Sequence, residues 1–220
     1  MGTIKKGILG GVSGTVGNVV GANWKGIDYL RVKPAGVSNP NTNLQSTQRL
    51  KFAAILRFLQ PMTELIRIGF KAYAVKMSAF NAAFSYNFHQ ALTGEYPDFG
   101  IDYAKAMVSR GNLPGAVEAA CASAEAGKVN FTWTNNAGGN IADDTDTALV
   151  VVYNQATQKA VYLLNAGTRA DEAAEVTVPA DFSGETVHCY ISFMAIGSVL
   201  NGQAKNSISN STYAGSVAVA

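Results

Sequence analysis

A chain of 220 residues with 48% apolar side chains can fill a sizeable core, which excludes a disordered polypeptide. Its apolar runs, such as residues 148–153, are far shorter than the roughly 20 residues that a transmembrane helix needs. The net charge of +2 conceals a division, because residues 1–114 carry 13 basic and 5 acidic side chains whereas residues 115–220 carry 4 and 10. These opposite charges favour two modules and binding to protein partners. The basic residues do not form a Lys/Arg cluster, which disfavours nucleic acid as a partner.

The glycine-rich stretch GTVGNVVGANWKGIDYLRVKP, residues 14–34, predicts a β-hairpin over 14–33 with a tight turn at Lys25-Gly26. It contains neither a GxxxxGK[ST] phosphate loop nor a GxG dinucleotide turn. Its glycines serve turns, or they permit close approach by another backbone, including that of another chain. Trp24, Tyr29 and Arg31 are the candidate interaction residues of this hairpin.

Lys5 and Lys6 precede an uncharged run that ends in Val20-Gly21-Ala22, as a secretion signal would. The run is too rich in glycine for a good apolar helix, so the sequence gives no convincing signal peptide. The localisation is left unknown: we expect cytoplasmic synthesis, with particle-borne or non-classical export left open.

Two helices are predicted after a linker at Pro34–Pro40, the first over about 42–60 and the second over about 62–92 with a break at Gly69. The second carries an aromatic and methionine face, which indicates core or oligomer contact rather than a site for a flat ligand. Phe80 and Phe84 are its candidate interaction residues. A strand over 101–110 and a linker at 111–115 follow, so we place the domain boundary between residues 114 and 115.

The second half contains short strand-like runs separated by turn residues, which predict a seven-stranded β-sandwich. The runs are 116–122, 128–135, 147–154, 159–165, 173–178, 185–194 and 205–214. Alternation around Val187 and Phe193 leaves His188 on the polar face, where we expect it to be exposed or paired with Glu185 or Tyr190.

The strand ending in Trp133, the strand ALVVVYN and the segment ADFSGETVHCYISFMA resemble the second, third and sixth strands of fibronectin type III-like domains. This resemblance covers only the second half and implies an all-β immunoglobulin/fibronectin III-like sandwich with Trp133 in its core. With the predicted hairpin and helices, the fold class is an α+β N-terminal module followed by this sandwich. It does not imply the inter-sheet disulfide of antibody domains, since Cys121 falls on the first strand. The two cysteines, Cys121 and Cys189, are therefore either buried thiols or, in an oxidising compartment, one disulfide.

The motifs GxxGNVVGxxWKGIDYLRxKP, IGFKAY and YPDFGIDYAKAMVSRG give the whole chain a resemblance to an uncharacterised family of Bacteroidota proteins. That family supplies no catalytic residues, and by analogy its members look like structural or phage-related proteins.

Asp143, Asp144 and Asp146 form the densest acidic cluster and are weak candidates for a metal site. An EF-hand loop starting at Asp143 would need a glutamate where Asn154 stands, so a solvated acidic loop is the preferred interpretation. We expect no cofactor.

The sequence carries no constellation of nucleophile, base and orienting group, so it predicts no enzyme and no catalytic residue. We expect a non-enzymatic structural or assembly protein, phage- or particle-associated and homo-oligomeric, that acts through protein–protein contacts. The alternatives are a cell-surface or secreted binding module for protein or glycan, and an enzyme whose site the sequence does not show. The sandwich loops carry no aromatic residues, which disfavours glycan stacking.

Overall fold

A computed structural model of the chain describes residues 2–4, 10–24, 26–36, 41–138, 141–200 and 203–220. The predictions that involve Lys5, Lys6, Lys25 and residues 37–40 lie outside these ranges. The structure divides into two compact units, Met1–Thr42 and Asn43–Ala220.

The first unit is an antiparallel sheet in the order β1-β2-β3-β4, here called the N-terminal sheet. Its strands are β1 (Thr3–Ile4), β2 (Val12–Val16), β3 (Val19–Trp24) and β4 (Ile27–Val32). The predicted hairpin is confirmed, with Gly17 and Gly26 at positive φ in its turns. Gly21 has a different role, because a Cβ there would collide with the carbonyl oxygen of Val12. The glycines therefore serve both turns and close approach by the unit's own backbone.

The second unit begins with helices α1 (Asn43–Leu59), α2 (Thr63–Gly69) and α3 (Ala79–Gln90). A 3-10 turn over Gln60–Met62 joins α1 to α2, and a second one lies at Lys71–Tyr73. The first predicted helix is confirmed. The second breaks at Gly69 as predicted and resumes only at Ala79. A side chain has no room at position 69, because a Cβ there would lie 2.7 Å from the carbonyl oxygen of Val108.

The predicted strand over 101–110 is wrong. Strands β5 (Leu92–Glu95) and β6 (Asp98–Ile101) form a hairpin, and the chain beyond it is irregular. Its backbone bonds to other elements: Met107 N–H donates to Asn87 Oδ1 at 2.9 Å, and Val108 N–H donates to Ser211 Oγ at 3.0 Å. Because these groups are satisfied without a neighbouring strand, apolar alternation here does not produce a ladder.

Two antiparallel sheets complete the second unit and bury one shared apolar core. The three-stranded sheet has the order β11-β8-β7, and the five-stranded sheet has the order β10-β9-β12-β13 with β14 also paired to β12. Their strands are β7 (Val117–Ala122), β8 (Lys128–Thr134), β9 (Thr147–Asn154), β10 (Lys159–Leu163), β11 (Ala173–Thr177), β12 (Thr186–Leu200), β13 (Gln203–Ile208) and β14 (Thr212–Ala218). The first six predicted strands are confirmed, whereas the last, predicted over 205–214, is two strands separated by a break at Ser209–Ser211.

The helices cover the second face of the five-stranded sheet. Phe58 of α1 packs edge-on against Tyr153 of β9, with ring centres 5.0 Å apart, and Tyr190 of β12 belongs to the same buried cluster. Helices and strands therefore share a core, which is why the compact units meet at Thr42–Asn43 rather than at the predicted boundary between residues 114 and 115.

Candidate functional site

The N-terminal sheet exposes large apolar side chains. All six residues of β4 are exposed, and among the described residues of the sheet no side chain is buried. Trp24 is 61% exposed and Leu30 is 62% exposed. The exposed apolar residues of the sheet are Ile4, Val16, Val19, Trp24, Ile27, Tyr29, Leu30 and Val32. Exposed apolar side chains concentrated on one small sheet are typical of an interaction site.

Both faces of the N-terminal sheet contribute to this surface. Trp24 lies opposite Ile27, Ala22 opposite Tyr29 and Val20 opposite Arg31, and directly opposed residues point to the same face. The three predicted interaction residues, Trp24, Tyr29 and Arg31, therefore share one face. Leu30, Val32 and Val19 lie on the other.

Strand β4 is an edge of the sheet. It pairs with β3 along its full length, and among the described strands none pairs with its other side. An exposed six-residue edge presents unpaired backbone groups to any strand that can align with it. The residues missed by sequence reasoning are Leu30 and Val32; the signal was the presence of apolar residues at both alternations of β4, which is typical of a strand meant to be covered on both faces.

Phe80 and Phe84 lie in the second unit and are half-buried. Phe84 packs against Phe52 of α1 at 4.9 Å and against Phe88 at 5.8 Å between ring centres. Phe80 packs against the helical core. The predicted aromatic face is thus mainly core, while its neighbour Phe52 remains 53% exposed.

The acidic cluster is occupied by protein partners. Asp146 is buried in an ion pair with Arg169, and Asp144 accepts a hydrogen bond from Asn135 Nδ2 at 2.7 Å. Asp143 accepts hydrogen bonds from the backbone and hydroxyl of Thr145, which lower the pKa of its carboxyl. Among the described residues no group of three or more potential ligands is placed to hold a metal ion.

His188 does not lie where the sequence predicted. Its ring stacks on Tyr103 with ring centres 3.7 Å apart, and its Nδ1 lies 3.0 Å from the hydroxyl of Tyr213. The sequence interpretation failed because the face of β12 that carries His188 is covered by the helical layer. Burial lowers the pKa of this imidazole.

One family model spans both the N-terminal sheet and the second unit. It is described as a family of unknown function, DUF6266, and it matches residues 11–215. The chain belongs to DUF6266. This confirms the predicted membership in an uncharacterised family. No curated protein and no solved structure matches this DUF6266 chain. Within the described ranges no helix is long and apolar enough to cross a membrane.

Proposed function

We propose that this DUF6266 protein is a non-enzymatic assembly protein and that its N-terminal sheet associates with the N-terminal sheet of a second copy of the chain through strand β4. The single observation that carries this proposal is the sheet whose described side chains are all at least partly exposed on both faces. A small sheet without a covered apolar face is at best marginally stable in water. A partner surface would supply the missing burial.

The exposed apolar area of the N-terminal sheet is large enough for contacts between copies. A fully buried aliphatic side chain removes about 60–120 Å² from water and an aromatic one about 150–250 Å². The exposed fractions of the eight apolar side chains then leave on the order of 500 Å² per copy. These side chains lie on both faces of the sheet, so pairing along β4 buries part of this area and full burial takes contacts with further copies on the faces.

The sequence of β4 suits pairing with itself. An antiparallel two-fold pairing centred on Leu30 places Leu30 against its own copy and Tyr29 opposite Arg31 on both sides of the axis. Guanidinium and phenol ring attract each other in such a pair. The contact is apolar at its centre, so it should persist at high salt.

Light scattering of the purified chain at about 50 and 500 mM NaCl tests the proposal. We expect an oligomer at both salts and at least about 30-fold weaker association in Leu30→Lys. Leu44→Lys is the matched control, because Leu44 of α1 is 80% exposed and undergoes the same exchange. A monomeric wild type, or dissociation by Leu44→Lys alone, would overturn the proposal. An oligomer that dissociates at high salt would assign the contact to the oppositely charged halves instead.

A cysteine crosslink separates loss of contact from loss of folding. Leu30→Cys places two thiols at the proposed two-fold axis and should give a disulfide-linked dimer on a non-reducing gel. Asn18→Cys, at an exposed turn of the same sheet, should not. Equal crosslinking of the two variants would argue against the β4 pairing.

We also infer that the two packed sheets are an immunoglobulin/fibronectin III-like sandwich. With β7 to β12 taken as A, B, C, C′, E and F and β14 as G, strands A, B and E form one sheet and C′, C, F and G the other. Trp133 is buried in their shared core. A phage- or particle-borne setting, the Bacteroidota distribution and export without a signal peptide stay predictions of the sequence.

A further inference from the structure

A groove of about 310 Å³ lies between the end of α2, the 3-10 turn that follows it and α3. Phe70 and Tyr73 line one side, Tyr86 and His89 of α3 line the other, and Arg110 lies in the same groove. Volumes of this size are at the lower end of small-molecule sites.

Arg110 is held in a fixed orientation. Its Cζ lies 4.4 Å from the ring centre of Tyr73 and 5.2 Å from that of Tyr86. Its backbone N–H donates to the carbonyl of Gly69 at 2.9 Å. Two aromatic rings and a backbone hydrogen bond therefore position a half-buried guanidinium before any ligand arrives.

Within the described part of the chain no group accepts a hydrogen bond from the guanidinium of Arg110, and no carboxylate pairs with it. The residues that line the groove include no aspartate or glutamate. Guanidinium carries five N–H donors in a planar fork that matches a carboxylate.

The rest of the groove is suited to an apolar group. Phe70 is buried at its wall, and Met77 is 50% exposed beside it. Among the described residues that line the groove, Arg110 is the one arginine and there is no lysine, so this lining offers one permanent positive charge. We propose that this groove binds a carboxylate attached to an apolar group, with Arg110 as the partner of the carboxylate and Phe70, Tyr73 and Met77 contacting the apolar part.

Two sources could supply this chemistry: a free carboxylic acid or the C-terminus of a peptide. NMR titration of the isotope-labelled full chain tests both sources. The carboxylate ligands are hexanoate and an acetylated Gly-Gly-Leu peptide, and the uncharged amide of each is titrated as its control. We expect each carboxylate to bind at least about tenfold more tightly than its amide and to shift the Arg110 side-chain resonance. The carboxylate that binds more tightly shows whether the ligand is a free carboxylic acid or a peptide C-terminus.

Variants locate the site. Arg110→Gln should weaken hexanoate at least about tenfold, and Arg110→Lys should weaken it less because charge remains while the planar fork is lost. Arg57→Gln, which removes an exposed arginine of α1, is the matched control and should leave binding unchanged. Equal binding of hexanoate and hexanamide, which needs no variant, would overturn the proposal, as would inorganic phosphate binding as tightly as hexanoate. The outcome is independent of whether the chain assembles.

Discussion

The guanidinium of Arg169 and the carboxylate of Asp146 lie 3.0 Å apart, and both side chains are buried. Arg169 also donates to Asn136 Oδ1 and to the carbonyl of Pro114, the latter at 2.9 Å, and its Cζ lies 3.9 Å from the ring centre of Phe193. One side chain thereby joins the acidic loop, the start of the three-stranded sheet and the core.

Asp146→Asn should destabilise the protein by about 3–5 kcal/mol, because it leaves the Arg169 charge buried without its counter-ion. Chemical denaturation measures the change in the free energy of unfolding. Asp144→Asn is the control, since Asp144 is exposed and its loss should cost no more than about 0.5 kcal/mol. Equal losses of unfolding free energy in the two variants would show that the buried ion pair stabilises the protein no more than an exposed aspartate does.

The stability of the chain should fall as the pH drops from 7 toward 5. Burial lowers the pKa of His188 below its ordinary value of 6.5, so the unfolded chain binds the proton more readily than the folded one. The stabilisation is complete above pH 6.5 and is lost as the pH falls from there through the folded pKa. Its physical cause is the burial of the imidazole, which disfavours the charged form; the buried Nε2 has no hydrogen-bond partner in the described structure.

His188→Phe retains the ring on Tyr103 and removes the titration. It should cost about 1 kcal/mol at pH 8, from the lost contact with the Tyr213 hydroxyl, and flatten the profile between pH 7 and 5. His89→Phe, at an exposed position of α3, should leave the profile of the wild type unchanged. Thermal unfolding of the three proteins at each pH gives the comparison, and parallel profiles for wild type and His188→Phe would refute the assignment.

Asn87→Leu should destabilise the chain by about 2–3 kcal/mol, since buried polar groups lose their partners. The Asn87 amide is fully buried, donates to the carbonyls of Ala83 and Met107 and accepts from Met107 N–H, each at 2.9 Å. Hydrogen exchange should accelerate first at Met107. Asn81→Leu, on an exposed position of the same helix, should change neither quantity, and an unaltered exchange rate in Asn87→Leu would contradict this role.

The thiols of Cys121 and Cys189 should react at different rates. A hydrogen bond from Cys189 lowers the pKa of Cys121, whereas the same contact, with burial, raises the pKa of Cys189. A lower pKa means more thiolate at a given pH, so iodoacetamide should modify Cys121 first. In Cys189→Ala the midpoint of the pH–rate profile for Cys121 should move upward; an unmoved midpoint would show that the hydrogen bond has no effect.

Local pattern predicted a strand pair well where the strands are close in sequence, as in the N-terminal hairpin, and a helix where the apolar spacing is regular, as in α1. The helical layer on the five-stranded sheet was not predicted, although the sequence of β9 indicated it. The run TALVVVYN is nearly continuously apolar, as in strands covered on both faces, and all eight of its residues are buried. Residues 101–110 could not be predicted, because their apolar alternation is that of a strand. The backbone N–H groups of Met107 and Val108 donate instead to the distant Asn87 and Ser211, which the alternation does not reveal.

The arginines show the same limit. Arg169 is a single basic residue without a motif around it, and Arg110, although it stands in the segment YPDFGIDYAKAMVSRG, belongs to no motif with a known binding role. Their neighbours come from separate segments, such as Phe193 for the first and Tyr86 for the second. The N-terminal sheet differs, because the apolar residues at both alternations of β4 already indicate in the sequence a strand that needs cover on both faces.

The bonds that hold residues 108–111 in place also set an order of events during synthesis. Ser109 Oγ donates to the carbonyl of Ser209, and Val108 N–H to Ser211 Oγ, across about 100 residues of chain. Helices α1–α3 leave the ribosome long before β9 and β12, the strands that cover them. Long-range closure of this kind slows folding and leaves apolar surface open meanwhile. The nascent chain therefore carries an uncovered helical layer until its last strands are made.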